Sequence, residues 1–203
     1  MMRWLRLGVV VLGLTAVLLL LLIALGLFDP KPEGEFVATA VPQTLTIPPQ
    51  DRQIVWLPES LPPDNFTIRT TITHQSGELD SGAGLILGDG NTAVIIAISP
   101  LGYVSVQQNK PITDYRLPIT EFPWQPWPHV RPGNAANEIW VDVVEGRMQV
   151  RMNRELLWAG DVLIQPTTAG LYGESFGGTA VFHFSGLVLS HDKAVTLPTQ
   201  TAD

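Results

Sequence analysis

The stretch NEIWVDVVEGRMQVRMN, residues 137–153, decides the architecture. Side chains on a strand face alternate ways. Ile139, Val141 and Val143 therefore point together into a core, and Glu138, Trp140 and Asp142 point to the other face. EIWVDVV and RMQVRMN flank Glu145-Gly146, a hairpin signal. Moving outward, the period of two recurs. In FTIRTTITH (66–74), Phe66, Ile68, Thr70 and Ile72 alternate with Thr67, Arg69, Thr71 and Thr73. GLILGDGNTAVIIAIS (84–99) reads as two apolar strands around Asp89-Gly90-Asn91. LGYVSVQQ (101–108), LLWAGDVLI, AGLYGE and TAVFHFSGLVLS supply further strands. No amphipathic helix of ten or more residues follows residue 30. Short strands punctuated by Gly and Pro predict an all-β antiparallel sandwich of jelly-roll type.

The front of the chain is different. Leu7 to Phe28 is an uncharged run of 22 residues. At ~1.5 Å per residue such a helix spans the ~30 Å hydrocarbon core of a bilayer. Arg3 and Arg6 precede it, and Asp29, Glu33 and Glu35 follow with Lys31. The positive-inside rule then predicts a single-pass protein of the cytoplasmic membrane, N-terminus inside and the rest outside. A cleaved signal peptide fits less well. Its apolar region runs ~7–15 residues to an A-x-A site, and the A-x-A here, Ala38-Thr39-Ala40, lies beyond a charged segment. The reading divides the chain into a cytoplasmic 1–6, a transmembrane helix 7–28, a Pro-rich linker 29–50 in which TLTI (44–47) can open the sheet, a sandwich 51–192 and a tail 193–203.

Composition narrows the chemistry. The chain has no cysteine, which excludes disulfides and thiolate chemistry. The formal net charge is −7 and no basic patch follows the first six residues, so nucleic acid is not an expected partner. No EF-hand spacing and no H-E-x-x-H is present. The sequence assigns no cofactor and no metal. Asp80, Asp89, Asp142 and Asp192 leave a Ca²⁺ site on a loop rim open, because oxygen ligands gathered from distant loops leave no local pattern.

The order of four pieces resembles the concanavalin A-like lectin/glucanase superfamily: Gly-Leu-Ile-Leu; AVIIAISPLGYVSVQQ; NEIWVDVVEGRMQVRMNRELLW; and AGLYGESFGGTAVFHFSGLVLS. The third piece resembles the laminin-G-like pattern, with Asn153-Arg154 in place of the usual Asn-Gly. The arrangement is similar to the bacterial 3-keto-disaccharide hydrolase-like domain. That resemblance implies a hydrolase acting on carbohydrate, with acids to be sought among Glu138, Asp142 and Glu174. Family 16 glycoside hydrolases of the same superfamily carry Glu-x-Asp-x-(x)-Glu on one strand. Asp142 and Glu145 match its second half, but the nucleophile position holds Trp140, whose indole cannot do that work.

Two more stretches bear on function. GESFG (173–177) has the G-x-S-x-G spacing, yet a strand pattern follows where a nucleophile elbow needs a helix. EFPWQPWPHVRPGNAANE (121–138) reads as a loop that combines flat aromatic rings with polar groups, the composition of a sugar-binding face. Its candidates are Trp124, Trp127, His129, Arg131 and Asn134, with Trp140 nearby on the strand. The competing reading makes these Trp a cover for an open end of the core. The sequence therefore favours a membrane-anchored, non-catalytic module that binds a glycan or a surface protein. A carbohydrate hydrolase and a purely structural envelope domain are the alternatives.

Overall fold

The computed structural model describes residues 2–28, 34–63, 65–111, 119–162 and 164–191. The chain forms two compact units, Met1–Lys31 and Pro32–Asp203.

The first unit contains α1, Met2–Ala24, uncharged beyond Arg6. It stops earlier than the apolar run suggests. Gly26 takes a positive φ of 67°, and Gly26 N–H and Leu27 N–H donate back to Ile23 and Leu22 carbonyls. That glycine-centred cap turns the chain out of the helix. Among the described residues no helix is long and apolar enough to cross a membrane.

The second unit is an antiparallel two-sheet sandwich. Its strands are β1 Glu35–Ala40, β2 Gln43–Ile47, β3 Arg52–Ser60, β4 Phe66–Gly77, β5 Ser81–Gly88, β6 Thr92–Ile98, β7 Tyr103–Pro111, β8 Ile119–Pro126, β9 Asn137–Val144, β10 Arg147–Met152, β11 Glu155–Asp161, β12 Thr168–Ser175 and β13 Ala180–His191. One sheet runs β1-β13-β4-β9-β10-β11, with β2 continuing along the same edge of β13. The other runs β3-β12-β5-β6-β7-β8.

Alternation places the core as the sequence implies. Ile139, Val141 and Val143 of β9 meet Leu85, Leu87, Val94 and Ile96 of the facing sheet within one apolar cluster, together with Phe182 and Phe184. Each such side chain contributes about 1.5–3 kcal/mol on burial.

Three strands, β1, β3 and β8, were not expected. β1 occupies part of the segment read as linker 29–50 and pairs with Leu187–His191 of β13, while β2 contains TLTI (44–47), the stretch read as able to open the sheet, and pairs with Ala180–Phe184. β3 and β8 carry Pro58, Pro123 and Pro126, and Pro lacks the N–H that an interior strand must donate. Both strands are sheet edges, where one side needs no ladder partner. The stretch 121–138 is therefore half strand and half loop.

The sandwich has two distinct ends. At one, Glu35, His191 and Phe66 lie in register on β1, β13 and β4. At the other, Gly77 lies beside Ala180. β4 has 12 residues, which sets the ends about 36 Å apart. β1 begins at the first end, and the last described residue, His191, lies there too.

Candidate functional site

Alternation along 121–127 separates the two tryptophans of the predicted aromatic loop. Three residues apart, they cannot share a face of one extended segment. Trp127 packs on the core cluster, edge-on to Phe122 at 6.3 Å between ring centres. Its indole N–H is buried and has no hydrogen-bond partner among the described residues. Trp127 and Val130 close the distal end of the sandwich, the one away from Glu35.

Asparagines hold this cover. Asn137 accepts from Arg131 N–H at 2.7 Å and donates to the Arg131 carbonyl at 2.8 Å. Asn153 donates to the His129 carbonyl at 2.6 Å. His129, Arg131 and Asn134 are exposed on the cover, and Asn134 Oδ1 lies 3.3 Å from His74 Nδ1. The structure does not gather these residues into a cavity with Trp124.

Trp124 instead lies on the outer face of the β3–β8 sheet, with its ring over Gly82 of β5. There it lines a cavity of about 480 Å³ with Asp80, Ser81, Ser99, Leu101, Tyr103 and Phe176. Tyr103 is 38% and Phe176 46% exposed. The volume falls within the ~300–1,000 Å³ usual for small-ligand sites, and an apolar lining with a few polar groups is their usual composition. A second cavity of about 300 Å³ adjoins through Phe176, lined by Gln50, Asp51, Arg52, Glu174 and Ser175. Glu174 is nearly buried and pairs with Arg52 at 3.6 Å.

Three turns build this cleft at the distal end. Phe176 N–H donates to the Asp80 carbonyl and Ser175 N–H to the Asp51 carbonyl, both at 3.0 Å. Glu78 ties the turns together, accepting from Gly178 N–H and Asp80 N–H at 3.0 Å each. Those backbone donors, Gly178 first, hold the Glu78 carboxyl below its ordinary range. Gly177 leaves room for it: a Cβ there would meet the Glu78 carboxylate at 2.5 Å, and the side chain would have to shift. Ser175, the serine of GESFG, is buried and donates to the Gly178 carbonyl, so it is part of the turn and is not presented as a nucleophile.

The remaining candidates lie on the opposite outer face. Trp140 is 1% exposed, and its Nε1–H donates to Asp142 Oδ1 at 2.7 Å, beside Thr67 Oγ1–H at 2.6 Å. Burial pushes the Asp142 carboxyl up, while Thr67, Trp140 and the Arg151 charge pull it back. Its Oδ2 is buried with no hydrogen-bond partner among the described residues. Glu138 pairs with Arg69 at 3.9 Å and Arg154 at 3.8 Å. Glu138 and Asp142 are four residues apart on one strand, ~13 Å. A glycosidase pair needs ~5–9.5 Å across one bond. With Glu174 on the other sheet, the three acids share no cleft. Among the described residues no group of three His, Cys, Asp or Glu could hold a metal ion, and Asp192 lies outside them.

Of the residues the sequence singled out, Trp124 and Asp80 line this cavity and Glu174 the adjoining one, whereas Tyr103, Phe176 and Arg52 were not singled out. Those three come from separate turns and strands, and only the sheet order brings them together.

No protein-family model and no curated protein matches the chain. Solved structures do. The carbohydrate-binding module CBM66 from Bacillus subtilis is 12% identical, with a TM-score of 0.54 over 69% of this chain and 82% of its own. The carbohydrate recognition domain of Emp46p is 13% identical, with a TM-score of 0.53 over 72% and 81%. The Crh5 transglycosylase, in complex with NAG, is 9% identical, with a TM-score of 0.57 over 81% and 89%. At such identities the likeness is one of fold, the antiparallel two-sheet β-sandwich.

Proposed function

We propose that this chain is a carbohydrate-binding module whose sugar site is the distal cleft of Tyr103, Trp124 and Phe176. One observation carries the reading: aromatic rings, two of them well exposed, border an open cavity of about 480 Å³ beside Asp80, Ser81 and Ser99. Flat rings stack on the apolar faces of pyranoses, and nearby hydroxyls and carboxylates fix their orientation. The printed names of the similar structures, a carbohydrate-binding module and a carbohydrate recognition domain, support the same class. The dispersal of Glu138, Asp142 and Glu174 favours binding over hydrolysis.

The anchor belongs to this proposal. Its support is the uncharged run Leu7–Phe28 behind Arg3 and Arg6. In this reading the N-terminus is cytoplasmic and the sandwich extracytoplasmic. Retention in the membrane pellet after alkaline carbonate extraction is the expected result, and release into the supernatant would sink the anchor.

The site is tested with the full-length chain in detergent micelles on a glycan array. Phe176→Ala and Tyr103→Ala should each weaken binding at least ~10-fold, the loss of ~1.4 kcal/mol of stacking, with an unchanged unfolding midpoint. Unaltered binding by both variants would remove the site from this cleft.

A further inference from the structure

The two cavities that meet at Phe176 are apolar at the Trp124 side and charged at the rim. Their described charged residues are Asp80 in one and Asp51, Arg52 and Glu174 in the other. The Arg52 guanidinium is engaged by Glu174 at 3.6 Å. Glu78 adds a further carboxylate directly behind the rim, held by Gly178 and Asp80 N–H groups. Three other described arginines, Arg69, Arg151 and Arg154, lie on or beside the opposite outer face, around Glu138 and Trp140. The described charged lining of the two cavities is thus net negative.

From this we infer, resting on the carbohydrate reading above, that the cleft selects glycans free of carboxylate and sulfate groups and gains affinity where the sugar carries a free amine. An acidic sugar stacked on Tyr103 or Phe176 would bring its anion against Asp80 or Asp51, and the cleft's one described cation is already committed to Glu174. Two net negative charges at ~5 Å in water-like surroundings weaken an anionic ligand roughly tenfold. The discrimination shrinks as salt shortens the screening length to ~3 Å at molar strength.

The test is an array that carries neutral, amine-bearing, uronic-acid-bearing and sulfated glycans, probed with the full-length chain in detergent at low and high salt. Wild type is set beside an Asp51→Asn/Asp80→Asn double variant whose thermal unfolding is checked. Binding by wild type confined to neutral and amine-bearing members, with acidic members gained by the double variant and by high salt, is the expected result. Acidic members bound as well as neutral ones by wild type would overturn the inference while leaving the carbohydrate reading intact. A folded double variant that gains no acidic member would overturn the assignment of selectivity to these aspartates. No binding of any member by folded wild type would overturn the carbohydrate reading, and this inference with it.

Discussion

Gly82 and Gly84 sit two residues apart on one face of β5, yet adding a methyl group should have opposite consequences at the two. At Gly82 the new Cβ meets Trp124 Cη2 at 2.8 Å and Cζ2 at 2.9 Å. Carbon atoms pack best at about 3.5–4.0 Å, so the ring must retreat by roughly 0.7–1 Å. It can, because Trp124 stands on the edge strand β8 and faces the open cleft. The cost of Gly82→Ala should lie at the low end of overpacking, about 1 kcal/mol. The displaced ring takes up cavity volume, so glycan binding should fall much more than stability. At Gly84 the new Cβ would sit on the Ile96 carbonyl oxygen, with the carbonyl carbon at 2.7 Å and Ala97 Cα at 2.8 Å. That is the backbone of a neighbouring interior strand, which cannot swing aside. Gly84→Ala should cost about 3 kcal/mol or more, a large share of the ~5–15 kcal/mol that holds a domain together. Urea unfolding followed by tryptophan fluorescence measures both. Equal destabilisation by the two variants would mean that Trp124 is wedged in place and serves the fold, and the placement of a movable ring at a binding cleft would be refuted.

Three other expectations follow from the same geometry. Trp127→Ala removes core cover and should cost about 3–5 kcal/mol in urea unfolding; a loss under ~1 kcal/mol would return Trp127 to the surface. Arg154 adopts a φ of +76°, a conformation that costs an ordinary residue ~1–2 kcal/mol. Its exposed pair with Glu138 returns at most ~1 kcal/mol, so Arg154→Gly should raise stability by ~0–1 kcal/mol, and a clear drop would show that the pair outweighs the turn. For Asp142, burial raises the folded pKa above the unfolded one. The stability linked to it is then fully present below the unfolded pKa and lost as pH rises through the folded one. Asp142→Asn, which keeps an oxygen for Thr67 and Trp140, should therefore gain on wild type from acid to neutral pH, and a gap independent of pH would contradict the raised carboxyl.

The sandwich was legible where aliphatic core residues alternate with residues of more polar type, as in 66–74 and 138–144, because a period of two is then written into the sequence. β3 and β8 were hidden for the opposite reason. As edge strands they tolerate Pro58, Pro123 and Pro126, the residues that mark a loop elsewhere. Losing β8 also cost the distinction between Trp124 and Trp127, since only on a strand does a spacing of three send them to opposite sides. Arg69, Trp140 and Arg151, in register on β4, β9 and β10, show why the other outer face misled. Its acids look like a site in sequence but are neutralised or buried among their cross-strand neighbours. Asp80 and Phe176, joined by a single backbone hydrogen bond, are 96 residues apart in sequence, and no local pattern announces their meeting.

The register of Glu35 with His191 and Phe66 puts the first strand's start and the last described residue at one end of the sandwich, and on the proposed anchored reading that end is the handle. Copies held by that handle on a common support can stand shoulder to shoulder, with their clefts some 36 Å away in one layer. Density then substitutes for tightness. On the proposed carbohydrate reading, a ligand with repeated sugar units would meet many sites at a local concentration set by spacing on the support, and avidity can exceed the strength of any one site by 10²–10⁴. An open cleft at the far end of the sandwich suits that arrangement.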